Sequence, residues 1–164
     1  MIDLVVRNAR LVDGSGDEAR MADVQVHGGV IVDVTDAGRG AAARRELDAD
    51  GLLLTPGWVD VHTHYDAQAS WDPYLTPSSW HGVTSVVMGN CGVGFAPAAP
   101  DRHEWLIGLM EGVEDIPGAA LAEGIQWNWE SFPEFLDHID HLPLGIDVGT
   151  QVPHGAVRGY VMGE

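Results

Sequence analysis

Two histidines separated by one residue close the run Thr55-Pro56-Gly57-Trp58-Val59-Asp60-Val61-His62-Thr63-His64. The apolar stretch before them predicts a short strand. Residues i and i+2 of a strand point to the same side. At about 3.3 Å rise per residue the two Cα atoms lie roughly 6–7 Å apart, so both imidazoles can face one site. Neutral imidazole is a common metal ligand, but two of them do not complete a centre. A third donor is offered by Cys91, the single cysteine, in the loop Gly89-Asn90-Cys91-Gly92-Val93-Gly94 that follows a second apolar run, Thr84 to Met88. A lone cysteine has three readings: a small buried residue, a nucleophile paired with His62, His64 or His81, or a thiolate ligand. Parallel β/α sheets gather their reactive groups at the C-terminal ends of the strands. His62, His64 and Cys91 all sit just past strand ends, which supports the ligand reading.

Other residues are weighed around these three. Asp66 and Asp72 lie on the loop after the histidines, where one of them could orient a ligating imidazole; Asp72 reads better as ordinary loop acidity. His154, in Val152-Pro153-His154-Gly155 after a third strand, either contacts substrate or caps the next helix. His81, His103, His138 and His141 read as surface or structural. Trp71 and Trp80 flank the loop after the histidines and are candidate walls of a substrate pocket, while Trp105, Trp127 and Trp129 read as packing. The glycines of 89–94 do not form a phosphate-binding P-loop, because the Gly-x-x-x-x-Gly-Lys-Ser/Thr pattern is missing and the chain has no lysine.

These groups must be held by a scaffold. Residues 1–55 read as a small β-rich module, with apolar runs at Leu4–Val6, Val24–Val26, Val30–Val34 and Leu52–Leu54 broken by Gly14-Ser15-Gly16-Asp17 and Gly28-Gly29. Arg39 to Arg45 reads as an exposed connection. From 56 to 164 the pattern becomes strand, loop, helix: a buried strand at Trp58–Val61, a strand at Thr84–Met88, a helix near His103–Val113, a helix opened by the capping-box spacing Ser131-Phe132-Pro133-Glu134 and running to about Leu142, and a strand at Gly145–Gly149. Strands alternating with helices imply βα units and a parallel sheet.

Composition narrows the function. Twenty-five acidic residues against eight arginines give a net charge of −17. Nucleic acid and anionic membranes both demand cationic patches, so neither is expected as a partner. No apolar stretch approaches the roughly 18 residues of a membrane span, and no charged n-region precedes an apolar h-region. A cytoplasmic protein is expected. With one cysteine there is no intrachain disulfide.

The β module followed by Pro56-Gly57-Trp58-Val59-Asp60-Val61-His62-Thr63-His64 resembles the amidohydrolase superfamily. Trp71-Asp72-Pro73, Thr76-Pro77-Ser78, His81-Gly82-Val83-Thr84 and above all Gly89-Asn90-Cys91-Gly92 are similar to its N-acyl-D-amino-acid deacylase (D-aminoacylase) branch. The resemblance implies an α/β fold: the N-terminal part of a metal-dependent (β/α)8 TIM barrel preceded by a small β-sandwich module. It implies zinc held by Cys91 and two histidines of later strands, with His62 and His64 contributing to an adjacent, weaker position. A late-strand aspartate is expected to act on the attacking water. The implied reaction is hydrolysis of the amide of a small-molecule N-acyl-D-amino acid to a carboxylate and a free D-amino acid. A barrel of this kind usually needs about 250 residues, and only about three βα units are visible from Pro56 onward. The later histidines and the catalytic aspartate have no counterpart, so no general base is assigned. The 164 residues alone are expected to be inactive and to self-associate through an exposed barrel edge. Two alternatives remain at this point: a cyclic-amide hydrolase of the hydantoinase or dihydroorotase kind, with a later-strand lysine in the bridging role, and a non-catalytic metal-binding remnant.

Overall fold

The computed structural model describes residues 1–163 apart from residue 115. The chain forms two compact units that divide between Pro56 and Gly57. No helix among the described residues is long and apolar enough to cross a membrane.

The first unit is a five-stranded sheet: β1 (Ile2–Leu11), β2 (Arg20–His27), β3 (Val30–Asp36), β4 (Ala43–Asp48) and β5 (Leu53–Leu54). β3, β2 and β1 form an antiparallel meander, and β4 and β5 both pair with β1 in parallel. The two-residue connection between β2 and β3 is Gly28-Gly29, with φ of +60° and +79°, the left-handed pair that a tight hairpin turn requires. One expectation fails here. Arg39 to Arg45 is not all connection, because Ala43 to Arg45 already belong to β4. β4 is polar and largely exposed, so it carries no alternating apolar pattern; it is held by the backbone ladder to β1, by the Arg7 guanidinium on both Glu46 carboxylate oxygens at 2.8 Å, and by Asn8 Nδ2 donating to Asp48 Oδ1 at 3.0 Å.

The second unit carries a three-stranded parallel sheet in the order β6 (Trp58–Thr63), β7 (Val83–Met88), β8 (Asp147–Thr150). Four helices accompany it: α1 (His103–Glu114), α2 (Gly118–Gly124), α3 (Phe132–Asp140) and α4 (His154–Met162). The capping box expected at Ser131 is present. Ser131 Oγ accepts from the Glu134 N–H, and the Glu134 carboxylate accepts from the Ser131 N–H at 2.8 Å. Val86 and Met88 of β7 are fully buried and meet Phe95, Leu106, Met110, Leu121 and Phe135 in one core. β6 departs from expectation. Trp58, Val59 and Val61 are 58–61% exposed rather than buried. The reason is topological: β6 is a terminal strand of this sheet and pairs only with β7.

An aromatic cluster secures the far side of this core. Trp129 Nε1 donates to the Phe95 carbonyl at 2.7 Å. The His103 ring stacks on Trp127 with centroids 3.8 Å apart and planes 5° from parallel, and His138 lies 4.9 Å from Trp129. The Nε2 atoms of both histidines are buried without a partner among the described residues. Burial lowers the pKa of each, because a protonated ring there would be poorly solvated; at His138 the nearby His141 adds repulsion. Both are therefore held neutral. The unfolded chain takes up their protons more readily, so stability is complete above the unfolded histidine value of about 6.5 and falls as pH drops through it. Buried Asp66 works in the opposite sense over the same range, so the histidine contribution is read as a difference: between about pH 7 and pH 5 the urea midpoint of His103→Phe, which keeps the ring stack, should fall less, or rise more, than that of the wild type. An unchanged slope in the variant would contradict this account.

Candidate metal centre

β6 ends irregularly, and that irregularity aims the histidines. Its pairing with β7 slips between Asp60 and Thr63. Asp60 Oδ1 accepts from the His62 N–H at 3.2 Å in place of a ladder bond, and Thr63 Oγ1 donates to the Val87 carbonyl at 3.0 Å. Thr63 is thereby buried against β7 while His62 and His64 emerge together, with ring centroids 5.5 Å apart and planes 25° from parallel.

Cys91 arrives from the loop after β7. Gly89 adopts φ +76° and passes so close to the backbone after β8 that a Cβ there would sit 2.4 Å from the Gln151 carbonyl oxygen. Only glycine fits such a position. The Gln151 N–H donates to the Met88 carbonyl at 2.9 Å, Gly92 N–H to the Gly89 carbonyl at 3.0 Å, and Gly155 N–H to the Gly92 carbonyl at 2.6 Å. Asn90 Nδ2 donates to the Val61 carbonyl at 3.2 Å, tying the same loop to β6. Cys91 Sγ then lies 3.9 Å from His64 Nδ1.

The donor atoms of His62, His64 and Cys91 all fall within 4.8 Å of one another, the one such cluster among the described residues. Zinc bonds of about 2.0–2.3 Å would place two donors at most ~4.5 Å apart. Small rotations of the exposed His62 and Cys91 side chains close that difference. Two imidazoles and a thiolate also suit zinc in kind. The residues present therefore fit a divalent ion.

His154 opens α4 and is exposed. A Cβ on Gly92 would lie 3.8 Å from its Cβ, so His154 stands beside the Cys91 loop. Asp66 is buried against Gly94, whose added Cβ would lie 2.9 Å from Asp66 Oδ1. Burial pushes its pKa up to about 7. Asp72 keeps to its own loop, in line with its loop reading, and is the hub of that loop: Oδ2 accepts from Thr76 N–H, Thr76 Oγ1 and Gln68 Nε2 at 2.7–2.9 Å, and Oδ1 from Tyr74 N–H at 3.0 Å. The tryptophan expectation fails. Trp71 packs against Gly124, and Trp80 is 77% exposed. Neither lines the cavity of about 550 Å³ beside the histidines, which is walled by Thr76, Pro77, Ser78, Val113 and Ile116. Those wall residues were missed in the sequence. The Asp-Pro-Tyr-Leu-Thr turn pattern was the available signal for the first three.

Residues 45–164 match the amidohydrolase family. The chain belongs to that family, and its likeness within it is to the D-aminoacylases and N-acyl-D-amino-acid deacylases. A D-aminoacylase of Alcaligenes xylosoxydans xylosoxydans is 33% identical over 98% of this chain and 31% of its own length. A solved D-aminoacylase, studied for the functional role of its binuclear metal center, superposes with a TM-score of 0.81 at 30% identity, covering 100% of this chain and 32% of that one. The N-acyl-D-glutamate deacylase of Bordetella bronchiseptica, solved with zinc and a phosphonate inhibitor, gives a TM-score of 0.77 at 30% identity over 99% of this chain and 32% of that one. The chain spans about a third of the length of these relatives.

Burial alone would raise the pKa of Asp72, but the donors around it outweigh burial and bring it down to about 2. Its contribution to loop order is present above the usual carboxyl value and is lost as pH falls toward 2. Asp72→Asn, which sets an amide N–H₂ against these donors, should raise amide exchange at Tyr74 and Thr76 at least about tenfold at neutral pH. Unchanged protection would show that the loop is ordered by other contacts.

Proposed function

We propose that the protein carrying these residues is a zinc-dependent hydrolase of N-acyl-D-amino acids, releasing a carboxylate and the free D-amino acid. The observation that carries this reading is the convergence of His62, His64 and Cys91 donor atoms within 4.8 Å at the ends of two adjacent parallel strands. The deacylase relatives support it. On this reading β6, β7 and β8 are the first strands of a (β/α)8 barrel and residues 1–55 are part of a β-sandwich module.

A zinc ion held by these ligands would supply a Lewis acid for the amide carbonyl and lower the pKa of water. The chain's own residues set where that happens. Cys91 and His64 present sulfur and nitrogen from one side, held by the Gly89 crossing and the Asn90 tether. His62, turned out by the β6 slip, would join them at the adjacent, weaker metal position, while Cys91 would also serve the zinc that two histidines of later strands complete. His154 stands at the rim beside Gly92 and contacts the substrate. In the overall reaction the C–N bond breaks, the carbonyl carbon gains the water oxygen, and the departing nitrogen takes a proton. Residues 1–164 supply three ligands and no general base, so this stretch alone is proposed to be inactive.

The test is turnover by the full-length protein with N-acetyl-D-amino acids, their L enantiomers, and a hydantoin. The D series should be hydrolysed at least about a hundredfold faster than the L series, with activity lost on chelation and restored by zinc. Ring opening of the hydantoin in preference to the D series, or turnover by the chelated protein, would contradict the reading.

A further inference from the structure

The cavity of about 550 Å³ beside His62 and His64 is not used by the chemistry above. It lies within the range of small-ligand sites, which is about 300–1,000 Å³. His62 and His64 form one side, and Thr76, Ser78, Val113 and Ile116 form part of the rest.

Its charge decides which end of a substrate it can take. An N-acyl amino acid bears its carboxylate on the nitrogen side of the scissile amide and its neutral acyl chain on the other. With the carbonyl at the metal centre, the two ends leave in different directions. None of the eight arginines is among the described lining residues, and Asp60 is. A carboxylate placed here would meet a like charge and no cationic side chain, and the metal that His62 and His64 would hold is taken up by the scissile carbonyl.

The polar groups of the loop wall, Tyr65, Gln68, Thr76 and Ser78, are already engaged with one another or with Asp72. Tyr65 OH donates to Ser78 Oγ at 2.7 Å. Gln68 Nε2 donates to Asp72 Oδ2 at 2.9 Å and to the Thr76 carbonyl at 2.7 Å, and Thr76 Oγ1 donates to Asp72 Oδ2 at 2.7 Å. Away from Asp60 and the histidines, what remains open to a ligand is the apolar surface of Val113, Ile116 and Pro77. Asp72 holds this wall in one arrangement, so the pocket exists before substrate arrives.

The geometry points to this cavity as the acyl-chain subsite, receiving an aliphatic acyl group several carbons longer than acetyl. The assignment rests on the deacylase reading and adds the substrate end that the N-terminal βα units select.

The experiment uses the full-length, zinc-loaded protein and measures kcat/KM for N-acetyl- and N-octanoyl-D-amino acids sharing one side chain. Val113→Trp, at a half-exposed position that tolerates a larger ring, should lower the octanoyl-to-acetyl ratio about tenfold or more. Ile116→Ala, which enlarges the cavity, should raise it. Calorimetry supplies a readout independent of turnover: octanoate should bind at least about tenfold more tightly than acetate, and Val113→Trp should remove that difference. Ratios unmoved in both variants, with the preference among D-side chains shifting instead, would overturn the subsite and leave the deacylase reading standing. Failure of the wild-type protein to hydrolyse any N-acyl-D-amino acid, whatever its chain length, would overturn both.

Discussion

The centre depends on a backbone crossing. The turn after β7 and the segment after β8 approach so closely at Gly89 and Gln151 that no side chain fits between them. Hydrogen bonds on either side of that contact, from Gln151 to Met88 and from Gly155 to Gly92, hold the intervening Cys91 at a fixed height above the sheet. Without the crossing, Cys91 would be an exposed thiol on a mobile glycine-rich loop. With it, a sulfur is delivered to within 3.9 Å of His64. Everything else at the site elaborates this junction: the β6 slip that turns out the histidines, the Asn90 tether, and His154 on the segment that makes the crossing.

The loop after β6 has a different job. It is ordered by one carboxylate, Asp72, that gathers four donors from Gln68, Tyr74 and Thr76. A half-buried carboxylate satisfied in this way is an anchor, because each lost partner removes a charge-assisted hydrogen bond. The wall and the converging donor side chains therefore come from separate devices. The donor cluster is set by backbone approach between strands, and the shape of the adjoining cavity by a side-chain hub. A substitution in one can alter selectivity without dismantling the other.

How much of this was legible in the sequence follows from the physics of each part. His62, His64 and Cys91 were readable because strand period and strand-end position are local properties. The Ser131 cap was readable for the same reason. β4 was not, since its polar residues pair with β1 through the backbone ladder and through the Arg7–Glu46 and Asn8–Asp48 side-chain contacts, none of which leaves an alternating apolar pattern. The exposure of Trp58, Val59 and Val61 was not, because burial of a strand depends on how many neighbours it has. Nearness in sequence points Trp71 and Trp80 at the pocket, yet Trp71 packs against Gly124 and Trp80 faces solvent. Val113 and Ile116, more than thirty residues from the loop they oppose, have no sequence signal that would join them to it.

The central claim is that Cys91 and the His62–His64 pair bind one metal ion together. Cobalt(II) substitution of the full-length protein tests it directly, because a thiolate ligand gives cobalt a charge-transfer absorption in the near ultraviolet that imidazole and carboxylate ligands do not. The account predicts that band in the wild-type protein, its loss in Cys91→Ser, and a change in the visible cobalt bands in His64→Ala. A cobalt spectrum identical in wild type and Cys91→Ser would place the metal elsewhere and contradict it.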